Sequence, residues 1–211
     1  MVEPEVSMSR LRFVTARSLF EAFPELARKS TVRPGDETPI AYLAALSAQD
    51  KFDEAVAFCA HLLPRREAVW WACGAVRAFL DGELRSVSPA LAAAEKWVHE
   101  PGADNRAIAL RIGNESDNAD PLTWLALSAG WSGGTLGPGP HNTVPMPAYM
   151  TARAVRIAIL LSAQHLAIPD RSARLHACIS DGIRLVDPEH RDQGAPVRLH
   201  PQGDRAGLRG L

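Results

Sequence analysis

At three places along this chain a residue able to cap a helix stands directly before a proline that opens an apolar run: Thr38-Pro39, Ser88-Pro89 and Asp120-Pro121. A short polar side chain accepts from an orphan N–H of the first turn, and proline at the first helical position loses no bond there. Each pair opens an alanine- and leucine-rich run: IAYLAALSA, ALAAAEKWV and LTWLALSA. No stretch shows sustained alternation of period two, and alanine and leucine outweigh the β-branched residues. The prediction is an all-α fold.

The other segments support it. Thr15 can cap a helix over 15–26 with Leu19, Phe20 and Phe23 on one face. Segment 51–63 sets Phe52, Ala55, Val56, Cys59, Leu62 and Leu63 at helical spacing, and the short Gln49-Asp50-Lys51 link predicts an antiparallel pair with the preceding helix. Segment 64–82 places Val69, Ala72, Cys73, Val76, Phe79 and Leu80 at i, i+3, i+4, i+7 spacing, with Gly82 as its stop. Segments 103–116, 147–166 and 169–187 complete a compact irregular bundle of roughly eight or nine helices. Helices 38–63 have the look of a tetratricopeptide unit, but later segments do not return at the period of about 34 residues such repeats need.

The chain has 211 residues, 46% of them hydrophobic, enough for one buried core over 1–187. From Pro188 to Leu211 glycine, proline, arginine and aspartate dominate, which predicts a tail without fixed structure. A net charge of −1, with arginines mixed among acids, argues against nucleic-acid binding. The most apolar run, AVRIAILLSA, is half the length a bilayer needs, and the N-terminus lacks the apolar stretch of a secretory signal. These features predict a cytoplasmic protein off the membrane. Cys59, Cys73 and Cys178 form no metal-ligand spacing and read as buried thiols. The histidines do not converge either, and His61 and His165 read as structural histidines beside apolar faces. No metal or cofactor is expected. Glu95, next to Lys96, reads as part of a solvated face.

The stretch GWSGGTLGPGPHNTVPMP (130–147) contains Gly-x-Ser-x-Gly, the pattern of a nucleophile elbow. That elbow needs a strand before the serine and a helix after it, whereas here a helical pattern precedes Ser132 and prolines follow. Asp170 and His176 stand in the right order for partners, but six residues apart on one helix they do not face each other. The preferred reading is a bend in which glycine closes the helix in a left-handed conformation and an extended Pro-rich crossover follows, with Trp131 anchoring it. A loop this long is the best candidate for a binding surface. In Trp70-Trp71, adjacent helical positions point about 100° apart. Core packing of both rings is favoured over one ring lining a groove.

Several phrases together, REAVWWACGAVR, SPALAAAEKWVHEPGADNRAIAL, WLALSAGWSGGTLGP and MTARAVRIAILLSA, resemble a proteobacterial all-helical family of unknown activity whose members are often encoded near type VI secretion genes. The resemblance covers roughly residues 10 to 187 and implies a setting only: an accessory, adaptor or effector-associated protein of a secretion locus. The resulting expectation is a non-enzymatic protein-binding module that engages another protein, such as a secretion component or effector. Its site would be Trp131, Ser132, Gly133 and Gly134, with Thr151, which could alternatively cap its helix, and Arg153 at the next helix opening. The alternatives are an enzyme, using Ser132 as nucleophile or a ligand groove beside Trp70 and Trp71, and a structural homodimer.

Overall fold

The computed structural model describes residues 12–28, 30–80, 88–136 and 144–186. Among these residues the chain is all-α, with helices α1 (Ala16–Ala22), α2 (Pro24–Ala27), α3 (Pro39–Ala48), α4 (Phe52–Leu62), α5 (Arg65–Phe79), α6 (Pro89–His99), α7 (Ala103–Glu115), α8 (Pro121–Gly130), α9 (Tyr149–Ala163) and α10 (Ile168–Val186). Gly82 and the tail from 188 lie outside the described residues.

The cap-then-proline starts form as the side chains require. Thr38 accepts from the Ala41 N–H at 3.2 Å, Ser88 from Leu91 at 3.3 Å and Asp120 from Leu122 at 2.8 Å. Thr15 and Ser18 close a capping box on α1. The helix predicted over 15–26 divides at Phe23-Pro24. Phe23, at φ −133° and ψ 74°, leaves the helical region as a residue before proline tends to. That break raises the count to ten among the described residues, above the eight or nine expected.

Helix α8 sits at the centre and packs on α5, α6, α7 and α9. Every residue of it except Trp124 is buried, which is why its sequence is apolar on all sides. Its two hydroxyls bond to carbonyls, Ser128 to Leu125 at 2.6 Å and Thr123 to Asp117 at 2.6 Å. Close approach to α7 depends on two glycines. A Cβ on Gly130 would lie 2.7 Å from the Leu110 Cα, and one on Gly113 would lie 2.6 Å from a Leu127 methyl. Gly130 is the last helical residue and Trp131 the C-cap; the glycine of this bend with a left-handed φ, 81°, is Gly134. Helix α9 crosses α8, α5 and α4, while α10 packs on α4 and α5.

Trp70 and Trp71 part company. Trp71 is 3% exposed and donates its indole N–H to the Cys178 carbonyl at 2.8 Å. Trp70 is 40% exposed, so joint core packing is corrected: 100° along a helix carries the second ring past the protein edge. All three cysteines are buried and free, and burial raises each thiol's pKa well above the ordinary range. Glu95 is not merely solvated; the Arg77 guanidinium donates to it twice, at 2.5 and 2.7 Å, tying α5 to α6.

Candidate functional site

Two regions gather chemistry: the bend after α8, and a cavity on the opposite side of α9.

The bend is entered from helix, with Trp131 as its C-cap residue, so no strand strains Ser132 into an elbow. Two side chains hold its backbone and a third lies against it. Arg65 donates to the Ser132 carbonyl at 2.6 Å, and Thr151 donates to the Trp131 carbonyl at 3.1 Å. The Arg106 guanidinium lies beneath Gly133 and Gly134, where added Cβ atoms would meet it at 3.3 and 3.5 Å. Trp131 is half-buried and packs edge-on against Trp124, centroids 6.2 Å apart. Residues 137–143 of the expected Pro-rich crossover lie outside the described residues, and the chain on either side of them pairs. Thr135 and Pro145 form an antiparallel bridge flanked by hydrogen bonds from Leu136 N–H to Val144 O (2.8 Å) and Met146 N–H to Gly134 O (2.9 Å). Buried Met146 pins the return, while Leu136 and Val144 face solvent at 37% and 55% exposure.

Thr151 does not cap α9. It lies within the helix, 1% exposed, and ties the bend down. Arg153, two residues on, is about 200° around the helix. It therefore lines the cavity and does not join Thr151 at the bend.

The cavity has a volume of about 310 Å³, at the lower end of the range for small-ligand pockets. Helix α4 supplies one wall through Glu54, Ala57, Phe58 and His61, and α9 another through Tyr149, Arg153 and Arg156, each set at helical spacing. Phe20 on α1 and Glu25 and Leu26 on α2 close the side facing α4. Tyr42, Phe58 and Phe20 form an aromatic cluster with centroids 4.8 to 5.9 Å apart. Neither Trp70 nor Trp71 lines it, so the groove considered beside them is not this cavity.

Most polar groups here are already committed. Arg156 makes a two-bonded pair with Asp53. Glu54 accepts from the Thr31 N–H at 2.8 Å, the Thr31 hydroxyl at 2.6 Å and the Ser30 hydroxyl at 3.1 Å. Burial pushes its pKa up, but those hydrogen bonds outweigh it and hold the carboxyl below the ordinary value. The Tyr42 hydroxyl donates to the Val32 carbonyl at 2.8 Å, and burial raises its pKa. His61 differs. It is 6% exposed with Nδ1 2.7 Å from the Ala57 carbonyl, yet its Nε2 and the Glu25 Oε1, 3.5 Å apart, are both buried without a hydrogen bond. Burial lowers the imidazole pKa, opposed only in part by the Ala57 bond and by the charge and nearby oxygen of Glu25. The expectation of a structural histidine thus holds for one ring nitrogen only. His165, expected beside an apolar face, is exposed.

A histidine whose folded pKa is lowered takes up a proton more readily when unfolded. Its contribution to stability is complete above the ordinary value, about 6.5, and is lost as pH falls below it. Wild type is expected to lose unfolding free energy between about pH 7 and 5 more steeply than His61→Gln, by about 1.4 kcal/mol per unit of lowering. Urea titrations across that range check it; parallel curves for the two proteins contradict it.

Elsewhere, the Ser47 hydroxyl lies 2.9 Å from His176 Nδ1, and His176 Nε2 lies 3.1 Å from Asp50 Oδ1. The sequence offered Asp170 as the acid for His176; the fold brings Asp50 to it from the α3–α4 turn. This trio does not make a triad site. Ser47 sits in the last turn of α3, and the N–H groups of Gln49, Asp50 and Lys51 already bond to the Leu46 and Ser47 carbonyls. None of these is left to hold an oxyanion. With Phe52 packed edge-on to the imidazole at 4.8 Å, the trio clamps α10 onto the α3–α4 corner.

The model of a family of unknown function, DUF6931, matches residues 42–186. The chain belongs to this family. No curated protein and no solved structure matches it. The DUF6931 match includes the bend, both α4 and α9 walls of the cavity and the Ser47 clamp. It does not include α1 and α2, which bring Phe20, Glu25 and Leu26. Among the described residues no three His, Cys, Asp or Glu gather as a metal site would require, and no helix is long and apolar enough to cross a membrane.

Proposed function

We propose that this DUF6931 protein is a non-enzymatic helical binding module that presents the bend at 130–136 and its return at 144–148 to a protein partner. One observation carries the reading: Leu136 and Val144 stand opposite each other, exposed, on backbone held by Arg65, Thr151 and Met146. Apolar side chains on a preorganised frame lose little entropy on docking. Trp131, Ser132, Gly133 and Gly134 form the base of that surface, and Thr151 supports it from within. Arg153 is assigned to the cavity instead. The setting we propose is the cytoplasm of a proteobacterium, as an adaptor or accessory protein of a type VI secretion locus with a secretion component or effector as partner. That setting rests on the resemblance of the quoted segments.

The double variant Leu136→Asp, Val144→Asp should abolish co-purification of the partner carried by wild type from native cells. Its melting temperature should stay within about 2 °C, because both side chains are on the surface. Unchanged co-purification removes the bend from the interface. Fluorophosphonate labelling that disappears in Ser132→Ala would favour the hydrolase reading instead.

A further inference from the structure

We propose that the cavity between α1–α2, α4 and α9 binds a small organic cation: a primary or secondary ammonium on an aromatic or aliphatic body. This inference is independent of the bend. A carbonyl oxygen only accepts, so the 2.7 Å contact with Ala57 O places the His61 proton on Nδ1. Burial disfavours a second proton, which leaves Nε2 a bare acceptor. Facing it at 3.5 Å is Glu25 Oε1, a carboxylate oxygen and also an acceptor. Both atoms are buried, neither has a hydrogen-bond partner, and both belong to residues lining the cavity.

Two acceptors that face each other call for one group able to donate two hydrogens. A hydroxyl has one and leaves one acceptor bare. An anion has none and is repelled by Glu25. An ammonium supplies at least two hydrogens and the charge that matches the carboxylate. The remaining cavity charges agree. Arg156 is neutralised by Asp53, and Glu54 already accepts from Thr31 and Ser30, so Glu25 is the carboxylate with an open position. The rings of Phe20, Tyr42 and Phe58 would receive the ligand's apolar body, and ring faces also favour a nearby cation. Arg153, on the α9 wall, disfavours a second positive end.

The test is calorimetric titration of the intact chain at about pH 7.5, where the ordinary imidazole is neutral, with three probes of one size: phenethylamine, 2-phenylethanol and phenylacetate. Phenethylamine is expected to bind at least about tenfold more tightly than the other two, and Glu25→Gln should weaken it by about tenfold with the melting temperature unchanged. Equal affinity for amine and alcohol would overturn the proposal, as would a preference for phenylacetate directed by Arg153. So would an absence of binding by all three up to about 10 mM, the result if a water joins the two acceptors.

Discussion

The Gly130→Ala variant should unfold about 3 kcal/mol more easily than wild type, lowering the melting temperature by roughly 5–10 °C. One added methyl achieves this because of what it meets. Its Cβ would lie 2.7 Å from the Leu110 Cα, 2.8 Å from the Leu110 Cβ and 2.9 Å from the Leu110 nitrogen. Backbone inside α7 cannot step aside as a flexible side chain can. The two helices must separate, and α8 is the element on which α5, α6, α7 and α9 all pack. Gly74→Ala is the matching control. It lies within α5 with nothing within 4 Å of the added Cβ, so the usual helical preference for alanine should raise stability by up to about 1 kcal/mol. Two identical substitutions, both at helical glycines, are thus expected to act with opposite sign. Thermal unfolding of the pair decides it, and a Gly130→Ala protein as stable as wild type refutes the close approach of α7 and α8.

Truncating Trp71 to alanine should cost about 3–5 kcal/mol, whereas the same change at Trp70 should cost under about 1 kcal/mol. Trp71 fills the space between α5 and α10. Its ring would lie 3.2 Å from a Cβ on Gly182, and its N–H spans to the Cys178 carbonyl at 2.8 Å. Removing it leaves a void beside Gly182 and buried Cys59 that cannot close without moving their helices. Trp70 loses only a partly hydrated face. Urea unfolding of the two variants reads the difference directly, and equal losses would contradict the split orientation.

Local chemistry is what the sequence displays, and the elements that depended on it were legible. The caps at Thr15, Thr38, Ser88 and Asp120 form because each acts on N–H groups two or three residues away. The heptad-like spacing of Phe52, Ala55, Val56, Cys59 and Leu62 likewise described one face of α4. What went unread was the face behind it. Glu54, Ala57, Phe58 and His61 recur at the same helical spacing, but nothing nearby in the chain says that α1 and α2 will cover them. The break at Phe23-Pro24 was visible as a proline, yet it looked compatible with one helix until α2 was set on its own course toward His61.

The bend shows the same division. Glycines and prolines announced a turn after α8, and a helical pattern before Ser132 argued against an elbow. Which groups meet at that turn could not be anticipated, because Arg65 and Thr151 bond to it across 67 and 20 positions of chain and Arg106 lies against Gly133 from 27 positions away. The capped helix starts and the all-α class therefore belong to the sequence alone, since propensity and capping act within a turn or two. The cavity, the empty pairing of His61 with Glu25, and the assignment of Thr151 and Arg153 to opposite sides of α9 belong to the tertiary structure. They are set by how whole helices cross, and that is decided by close packing of side chains far apart in the chain.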